Sequence, residues 1–212
     1  YIGLPTAALI ASRGAEVVGV DINQNIVDTI NHGKIHIVEP GLDILVKESI
    51  TAGHLRATTY LEKSDIFIIA VPTPFKGDHE PDLSFIESAV KVIAPLLEKG
   101  NVVILESTVP VGTTEKISEW MQVIRPDLYF AQFDKGSTNS DISVAHCPER
   151  VLPGNVIKEL VENDRIIGGI TSQCAEGARK LYKIFVDGDC LITDSRTAEL
   201  SKLAENAFRD VN

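Results

Sequence analysis

The amino-acid sequence predicts an α/β fold built on a doubly wound, mostly parallel sheet. Short apolar runs at 64–71 and 101–106 are typical of strands that helices cover on both faces. These runs alternate with amphipathic helical segments, and such alternation favours parallel strands joined by crossover helices. In sheets of this kind ligands bind beyond the carboxyl ends of the strands, so residues that follow strands are the first candidates for a site.

The first 21 residues match the second half of a dinucleotide-binding βαβ unit. Gly3 corresponds to the third glycine of G-x-G-x-x-G, and a helical run at 4–11, a turn at Gly14 and a strand at 17–20 follow it. Asp21 ends that strand, where a carboxylate binds ribose hydroxyls. The alternative is that both glycines serve ordinary turns and that Asp21 caps the next helix. The first hypothesis predicts a Rossmann-type domain that prefers NAD to NADP, because no arginine follows Asp21 to receive a 2′-phosphate.

Composition excludes several classes of partner. The 212 residues carry 20 Lys and Arg against 30 Asp and Glu, a net charge of −10 without a basic cluster. This balance argues against nucleic acid and against an anionic membrane as partners. No apolar run approaches the roughly 18 residues that cross a bilayer, and three scattered cysteines indicate a reducing compartment. We therefore expect a cytoplasmic protein.

The first half of the chain continues as two helices, a strand and a third helix. A helix at 25–33 closes on a glycine, and an amphipathic helix spans 42–52. The apolar strand at 64–71 ends at two nearby prolines, which cannot donate to a sheet ladder. Ser84 and Glu87 have the spacing of a capping box, which predicts that a helix opens there and runs to about residue 99.

The second half repeats the alternation of strand and helix. The strand at 101–106 is followed by a helix that ends near Ile124. The remaining predicted elements are, in order, a strand at 142–145, a helix at 156–162, a strand at 165–168, a helix at 174–185, a strand at 190–193 and a final helix to the end of the chain.

Polar residues follow three of the predicted strands. Thr73, Thr108 and Glu149 each lie at or just past a strand end. Threonine hydroxyls can donate to a nicotinamide, a ribose or a bound water, and a carboxylate in a cleft can act as a general acid or base. The alternatives are local: threonines commonly end strands for their own hydrogen bonds, and Glu149 with Arg150 can form a surface turn.

The final helix has one polar side. At about 100° per residue, Ser195, Glu199, Lys202, Asn206 and Arg209 share a stripe, and the opposite side carries Leu200, Leu203, Ala204, Ala207 and Val211. A solvated helix face would show the same pattern. The stripe can instead line a polar cleft, in which a lysine passes protons or stabilises an alkoxide.

The sequence does not predict a metal site. The loop at 76–82 contains Asp78, His79, Glu80 and Asp82, but no second histidine at helical spacing and no cysteine pair accompanies them. Cys147 lies near the predicted site, and a cysteine at an apolar strand end is more often a small core residue than a nucleophile.

Six motifs occur in one order along the chain, at 1–6, 71–74, 106–115, 147–154, 165–169 and 198–208. Together they resemble the UDP-glucose/GDP-mannose dehydrogenase family over essentially the whole sequence. Within that family, the stretches at 35–41, 72–82 and 208–212 are most similar to members that act on UDP-N-acetyl-D-mannosamine. Members that act on UDP-GlcNAc or UDP-glucose, and a non-catalytic NAD-binding module, remain alternatives.

The resemblance implies a four-electron oxidation of the C6 alcohol of a UDP-sugar to a carboxylate, through a cysteine thiohemiacetal and thioester, with reduction of two NAD. The residues expected to contact NAD are Tyr1, Ile2, Gly3, Asp21, Thr73 and Thr108. Those expected to serve the sugar and a catalytic water are Glu149, Lys202 and Asn206 with Thr108, Lys202 being the proton donor and acceptor. The residues expected to help hold the UDP-sugar are Arg150, Val151 and Arg209.

The resemblance also implies an organisation in domains. Residues 1–193 correspond to an NAD-binding domain whose first strand is missing, and 194–212 to the start of a connecting helix that builds a homodimer. The family's nucleophilic cysteine lies in a Gly-Gly-x-Cys motif, and none of Cys147, Cys174 and Cys190 has that setting. Because that cysteine and the UDP-binding domain are absent, we do not expect these 212 residues to complete the reaction alone.

Overall fold

The computed structural model describes residues 2–78, 80–132 and 140–212. Within these ranges no helix combines the length and apolarity that crossing a membrane requires. The elements are, in order, α1 (Gly3–Ser12), β1 (Val17–Val20), α2 (Gln24–Asn31), α3 (Leu42–Thr51), β2 (Leu55–Thr58), β3 (Ile66–Ile69), β4 (Phe75–Lys76), β5 (Glu80–Pro81), α4 (Ser84–Ile93), β6 (Val102–Leu105), α5 (Thr113–Ile124), β7 (Ser143–His146), α6 (Val156–Glu162), β8 (Arg165–Gly169), α7 (Ser172–Tyr182), β9 (Cys190–Asp194) and α8 (Ser195–Val211).

The chain forms two compact units. The first contains Tyr1–Glu62, Arg150–Asp164 and Lys183–Asp189, and the second contains Lys63–Glu149, Arg165–Tyr182 and Cys190–Asn212.

The first unit is a parallel strand pair packed against helices. β1 and β2 pair from Val17 opposite Leu55 to Val20 opposite Thr58. The sequence did not predict β2, because Leu55-Arg56-Ala57-Thr58 is too short and too mixed to form an apolar run. The buried core of this unit consists of Ala8, Ala11, Val27, Ile30, Leu42, Val46, Leu55 and Ala57.

The second unit contains a five-stranded sheet in the order β3-β6-β7-β8-β9. All neighbouring strands are parallel except β7 and β8, which pair through Ala145 opposite Gly169 and His146 opposite Gly168. The predicted mostly parallel sheet is therefore confirmed. β4 and β5 form a separate antiparallel hairpin that the sequence did not predict.

Helices lie on both faces of β8, and two adjacent glycines make this possible. A Cβ on Gly168 would come within 2.5 Å of the Cβ of Ala198 in α8, and one on Gly169 would meet the backbone of Ala175 in α7. Because successive strand residues face opposite sides of a sheet, α8 and α7 cover opposite faces. Each helix approaches β8 more closely than a side chain would allow.

The prediction for the start and end of α4 was wrong in two details. Ser84 is the first helical residue, so it does not cap the helix, and its N–H donates instead to the Asp82 carboxylate at 3.0 Å. The α-helix ends at Ile93 and tightens into a 3₁₀ turn over Ala94–Leu96, because Pro95 lacks the N–H that would continue the ladder.

A buried polar cluster lies beneath the strand ends of the second unit. Tyr182 donates its hydroxyl to Glu106 at 2.8 Å, and the guanidinium of Arg165 lies 5.2 Å from the centre of the Tyr182 ring. All three side chains are buried. The Tyr182–Glu106 bond joins the end of β6 to α7, and the ring contact joins α7 to β8.

Candidate active site

In the first unit, the start of α1 and the end of β1 offer features that fit a dinucleotide. No side chain caps α1 at Ile2, and its first turn, which begins at Gly3, carries no acidic residue. Uncapped N–H groups at a helix N-terminus attract anions such as a pyrophosphate. Asp21 follows β1, and Tyr1 lies outside the described residues.

Asp21 does not cap α2, which excludes the alternative interpretation of this residue. The N-cap is Asn23, whose side chain accepts a hydrogen bond from the N–H of Asn25 at 3.0 Å. The Asp21 carboxylate accepts one bond from the N–H of Asn23 at 2.8 Å. A carboxylate has about four lone-pair sites, so acceptor capacity remains for ribose hydroxyls.

In the second unit, the loops after β3 and β6 are bonded to each other. Thr73 donates its hydroxyl to the carbonyl of Thr108 at 2.8 Å, and Ser107 donates to the carbonyl of Val71 at 2.7 Å. Both threonines are half-buried. Thr73 and Thr108 therefore lie beside one another, each just past the end of a strand.

The end of β7 meets α8 through Glu149 and Lys202. The Lys202 Nζ donates to the Glu149 carbonyl at 2.6 Å and lies 3.4 Å from the Glu149 carboxylate. Lys202 is only 5% exposed. An ammonium has three donors, so two bonds to Glu149 leave a third N–H for a ligand oxygen.

The other predicted substrate residues are distributed over both units. In the second unit, Arg209 is exposed and donates to the side-chain carbonyl of Asn206 at 2.6 Å. Asn206 is half-buried and lies one turn beyond Lys202. Arg150 and Val151 belong to the first unit, where the carbonyl of Arg150 accepts a bond from the Asn163 side chain at 2.9 Å.

The polar stripe of α8 is buried over its first half, and the apolar side is exposed. Ser195, Glu199 and Lys202 are buried, whereas Leu200 is 57% and Val211 is 86% exposed. The first half of the stripe is therefore not a solvated face.

Glu199 is the site residue whose contacts sequence reasoning missed. Its carboxylate accepts bonds from the N–H of Gly112 at 2.6 Å, and from the N–H and hydroxyl of Thr114 at 2.7 and 2.6 Å. Burial raises the pKa of Glu199, and these donors act in the opposite direction. The sequence grouped Glu199 with residues that line a cleft, but it binds the start of α5 instead.

His146 and Cys147, next to Glu149, are both uncharged at neutral pH. Burial lowers the pKa of His146 to about 3, and the charge of Lys202 acts in the same direction. Burial raises the pKa of the Cys147 thiol to about 12. A protonated, fully buried thiol is a poor nucleophile, which agrees with the expectation that Cys147 is a core residue.

The described residues contain no group of three or more His, Cys, Asp and Glu side chains that could hold a metal ion. In the loop at 76–82, the structure describes Asp78, Glu80 and Asp82, whereas His79 is outside the described residues.

Residues 1–186 match a model of the UDP-glucose/GDP-mannose dehydrogenase family, NAD binding domain. The chain belongs to this family. It carries the NAD-binding domain, so the cofactor implied by Gly3 and Asp21 is NAD.

Relatives of this family cover the whole chain. A UDP-N-acetyl-D-mannosamine dehydrogenase of Campylobacter jejuni is 66% identical over 100% of the chain and 52% of its own length. An NDP-N-acetyl-D-galactosaminuronic acid dehydrogenase of Ralstonia nicotianae is 62% identical over 100% of the chain and 50% of its own length. The chain spans about half the length of the curated relatives it matches.

A solved structure of the family has the same fold. The UDP-D-ManNAc dehydrogenase of Pyrococcus horikoshii is 45% identical, with a TM-score of 0.92 over 100% of this chain and 49% of its own. The Rossmann-type α/β class predicted from the sequence is thereby confirmed.

Asp21 is expected to set the cofactor preference. In the intact protein, Asp21→Asn removes the charge that repels a 2′-phosphate while keeping an acceptor for Asn23. The ratio of kcat/KM for NAD to that for NADP should fall by about tenfold, which corresponds to about 1.4 kcal/mol. Asp28→Asn, on the exposed side of α2, is the control and should leave the ratio unchanged. Equal use of both cofactors by the unaltered protein would contradict the assignment.

His146 is expected to make stability depend on pH. Its pKa in the folded protein is below the unfolded value of 6.5, so the unfolded chain binds more protons as the pH falls below 6.5. Stability is fully present above that value, and about 2 kcal/mol should be lost between pH 6.5 and 5, at about 1.4 kcal/mol per unit. Melting temperatures at both pH values should show a smaller difference for His146→Gln. The exposed His36→Gln is the control, and an equal effect of the two substitutions would refute this role.

Proposed function

We propose that the intact protein oxidises the C6 alcohol of UDP-N-acetyl-D-mannosamine to the carboxylate with NAD, to supply cell-surface polysaccharide synthesis. The observation that carries this proposal is the pairing of the buried Lys202 with the partly exposed Glu149 just past β7. Burying an ammonium is costly unless polar groups receive it. A buried lysine held beside strand-end loops favours catalysis over a non-catalytic binding module.

The residues of the second unit suit the removal of a hydroxyl proton. As the C6 hydroxyl is oxidised it loses its proton, and oxyanion character develops on the oxygen. The remaining N–H of Lys202 can donate to that oxygen, and Glu149 holds the ammonium in place through its carbonyl and its carboxylate. Asn206 and Thr108 can hold the water that carries the proton away.

NAD, when bound, supplies the hydride acceptor. In the first unit, the N-terminus of α1 would hold its pyrophosphate and Asp21 its adenosine ribose. Ile2 and Gly3 present the backbone for this contact, and Thr73 and Thr108 would face the nicotinamide. The preference for NAD over NADP follows from the charge of Asp21.

We place the boundary between the cofactor domain and the connecting helix at residue 193. Residues 1–193 form the cofactor domain, and 194–212 begin a connecting helix that carries Lys202, Asn206 and Arg209.

A cysteine in another part of the protein adds to the aldehyde as a thiohemiacetal. Loss of a second hydride gives the thioester, and water then releases the carboxylate and the free thiol. Arg150, Val151 and Arg209 would help to hold the UDP-sugar.

The substrate is tested by NADH release from the intact protein with separate UDP-sugars. We expect turnover of UDP-N-acetyl-D-mannosamine with two NADH per sugar, and kcat/KM at least tenfold lower for UDP-GlcNAc, UDP-GalNAc and UDP-glucose. UDP-GalNAc is included because of the 62% identical relative named above. A preference for another sugar would reassign the substrate, and no turnover of any of them would contradict the proposed reaction.

Lys202→Ala in the intact protein should lower kcat by roughly 10²–10⁴-fold, the usual contribution of an acid–base group. The dissociation constant of NAD should stay within about twofold, since NAD is assigned to other residues. Lys180→Ala, an exposed lysine on α7, is the matched control and should leave kcat unchanged. A kcat for Lys202→Ala within twofold of the unaltered protein would contradict the role of Lys202.

We further propose that the protein forms a homodimer through the exposed apolar side of α8, formed by Leu200, Ala204, Ala207 and Val211. Apolar helix faces of this kind are typical of interfaces. Sedimentation velocity of the intact protein should show a dimer, and Leu200→Glu should shift it to a monomer. Val123→Glu, on the exposed side of α5, is the control and should remain dimeric. A dimer that survives Leu200→Glu would exclude this interface.

A further inference from the structure

The start of α5 is capped by a side chain from another helix. The N-cap residue Gly112 has a φ of 92° and no side chain, so it cannot accept the N–H bonds of the first turn. The Glu199 carboxylate supplies the missing acceptor with three bonds of 2.6 to 2.7 Å, although the two residues are 87 positions apart. A carboxylate at a helix N-terminus is also favoured by the helix dipole.

The capped segment is continuous with the loop after β6. Thr108 lies four residues before Gly112, and its carbonyl is already bonded to Thr73. Glu199 therefore holds the far end of the same loop that carries Thr108.

On α8, Glu199 lies one turn before Lys202, and both side chains are buried. Residues three apart share one side of a helix. The helix thus makes two polar contacts with two strand-end loops, Glu199 with the loop after β6 and Lys202 with the end of β7. A rotation of α8 that released Glu199 would also move the Nζ of Lys202.

We propose that Glu199 is a positioning residue: its bonds to Gly112 and Thr114 fix the rotation of α8 about its axis and its position along that axis, and thereby hold Lys202 at Glu149. This proposal rests on the oxidation proposed above, in which Lys202 handles the hydroxyl proton. Displacements of about 1 Å are enough to cost roughly 10²-fold in rate, so the cap acts on kcat rather than on NAD binding.

A second contact between the same two helices serves as the matched control. Arg196 of α8 binds Glu115 of α5 through two bonds of 2.6 and 3.0 Å, with the arginine side chain 48% exposed. Exposed ion pairs contribute about 0–1 kcal/mol. Arg196→Gln therefore loosens the same helix pair without removing the buried cap.

The test compares Glu199→Gln, Glu199→Ala and Arg196→Gln in the intact protein. Both Glu199 variants should lower kcat at least tenfold, with the larger loss in Glu199→Ala, and leave the NAD dissociation constant within about twofold. Hydrogen exchange of the segment 108–114 should become faster in both, which reports release of the cap independently of activity. Arg196→Gln should keep kcat within twofold.

Combination with Lys202→Ala separates positioning from general stability. If Glu199 acts through Lys202, adding Glu199→Gln to Lys202→Ala should cause no further loss of kcat. If Glu199 only stabilises the fold, the two losses should multiply.

Multiplying losses, or a kcat within twofold of the unaltered protein for Glu199→Gln, would overturn the proposal. Glu199→Gln keeps the shape of the side chain. If Glu199→Ala does not fold, the kcat of Glu199→Gln alone tests the proposal. Absence of NADH release by the unaltered protein with every UDP-sugar would overturn the proposed reaction, and this proposal with it. If the unaltered protein turns over a UDP-sugar, the kcat values of the variants test only the role of Glu199 and not the proposed reaction.

Discussion

Two buried ionisable side chains on one helix, Glu199 and Lys202, constrain where α8 can lie. A buried ion without partners costs several kcal/mol, so the helix must lie where polar groups can receive both side chains. The start of α5 and the end of β7 provide them. Both partners belong to segments that follow strands, and the position of this helix therefore determines how the candidate site is assembled.

The sequence predicted elements well where a long pattern existed and poorly where tertiary contacts decide. β3 and β6 were predicted because each is a continuous apolar run, and their buried positions explain the run. β2 was missed because its four residues become a strand only by pairing with β1. The capping box at Ser84 failed because Asp82, two residues earlier, competes successfully for the same N–H. Local spacing alone does not distinguish these two acceptors.

The rule that sites lie past strand ends selected Thr73, Thr108 and Glu149 as candidates. The helical stripe contains Lys202, and the resemblance to the family supplied its role. Periodicity separates the two sides of a helix but does not say which side is buried. It therefore could not predict that the polar side of α8 is the buried one. Glu199 has the same spacing as its neighbours on the stripe, and its partner Thr114 is 85 positions away. Only the fold joins them.

The reversed direction of β8 also affects when the candidate site can form during synthesis. Because β8 is antiparallel to β7 and β9 follows the direction of β8, α8 starts at the end of β9 and reaches Glu149 in its second turn. Contacts spanning 53 and 85 positions close late in folding, since long loops must be ordered first. A nascent chain that has completed β7 and α5 thus leaves the first N–H groups of α5 without their acceptor. Those groups can bond only to water until the ribosome has released α8.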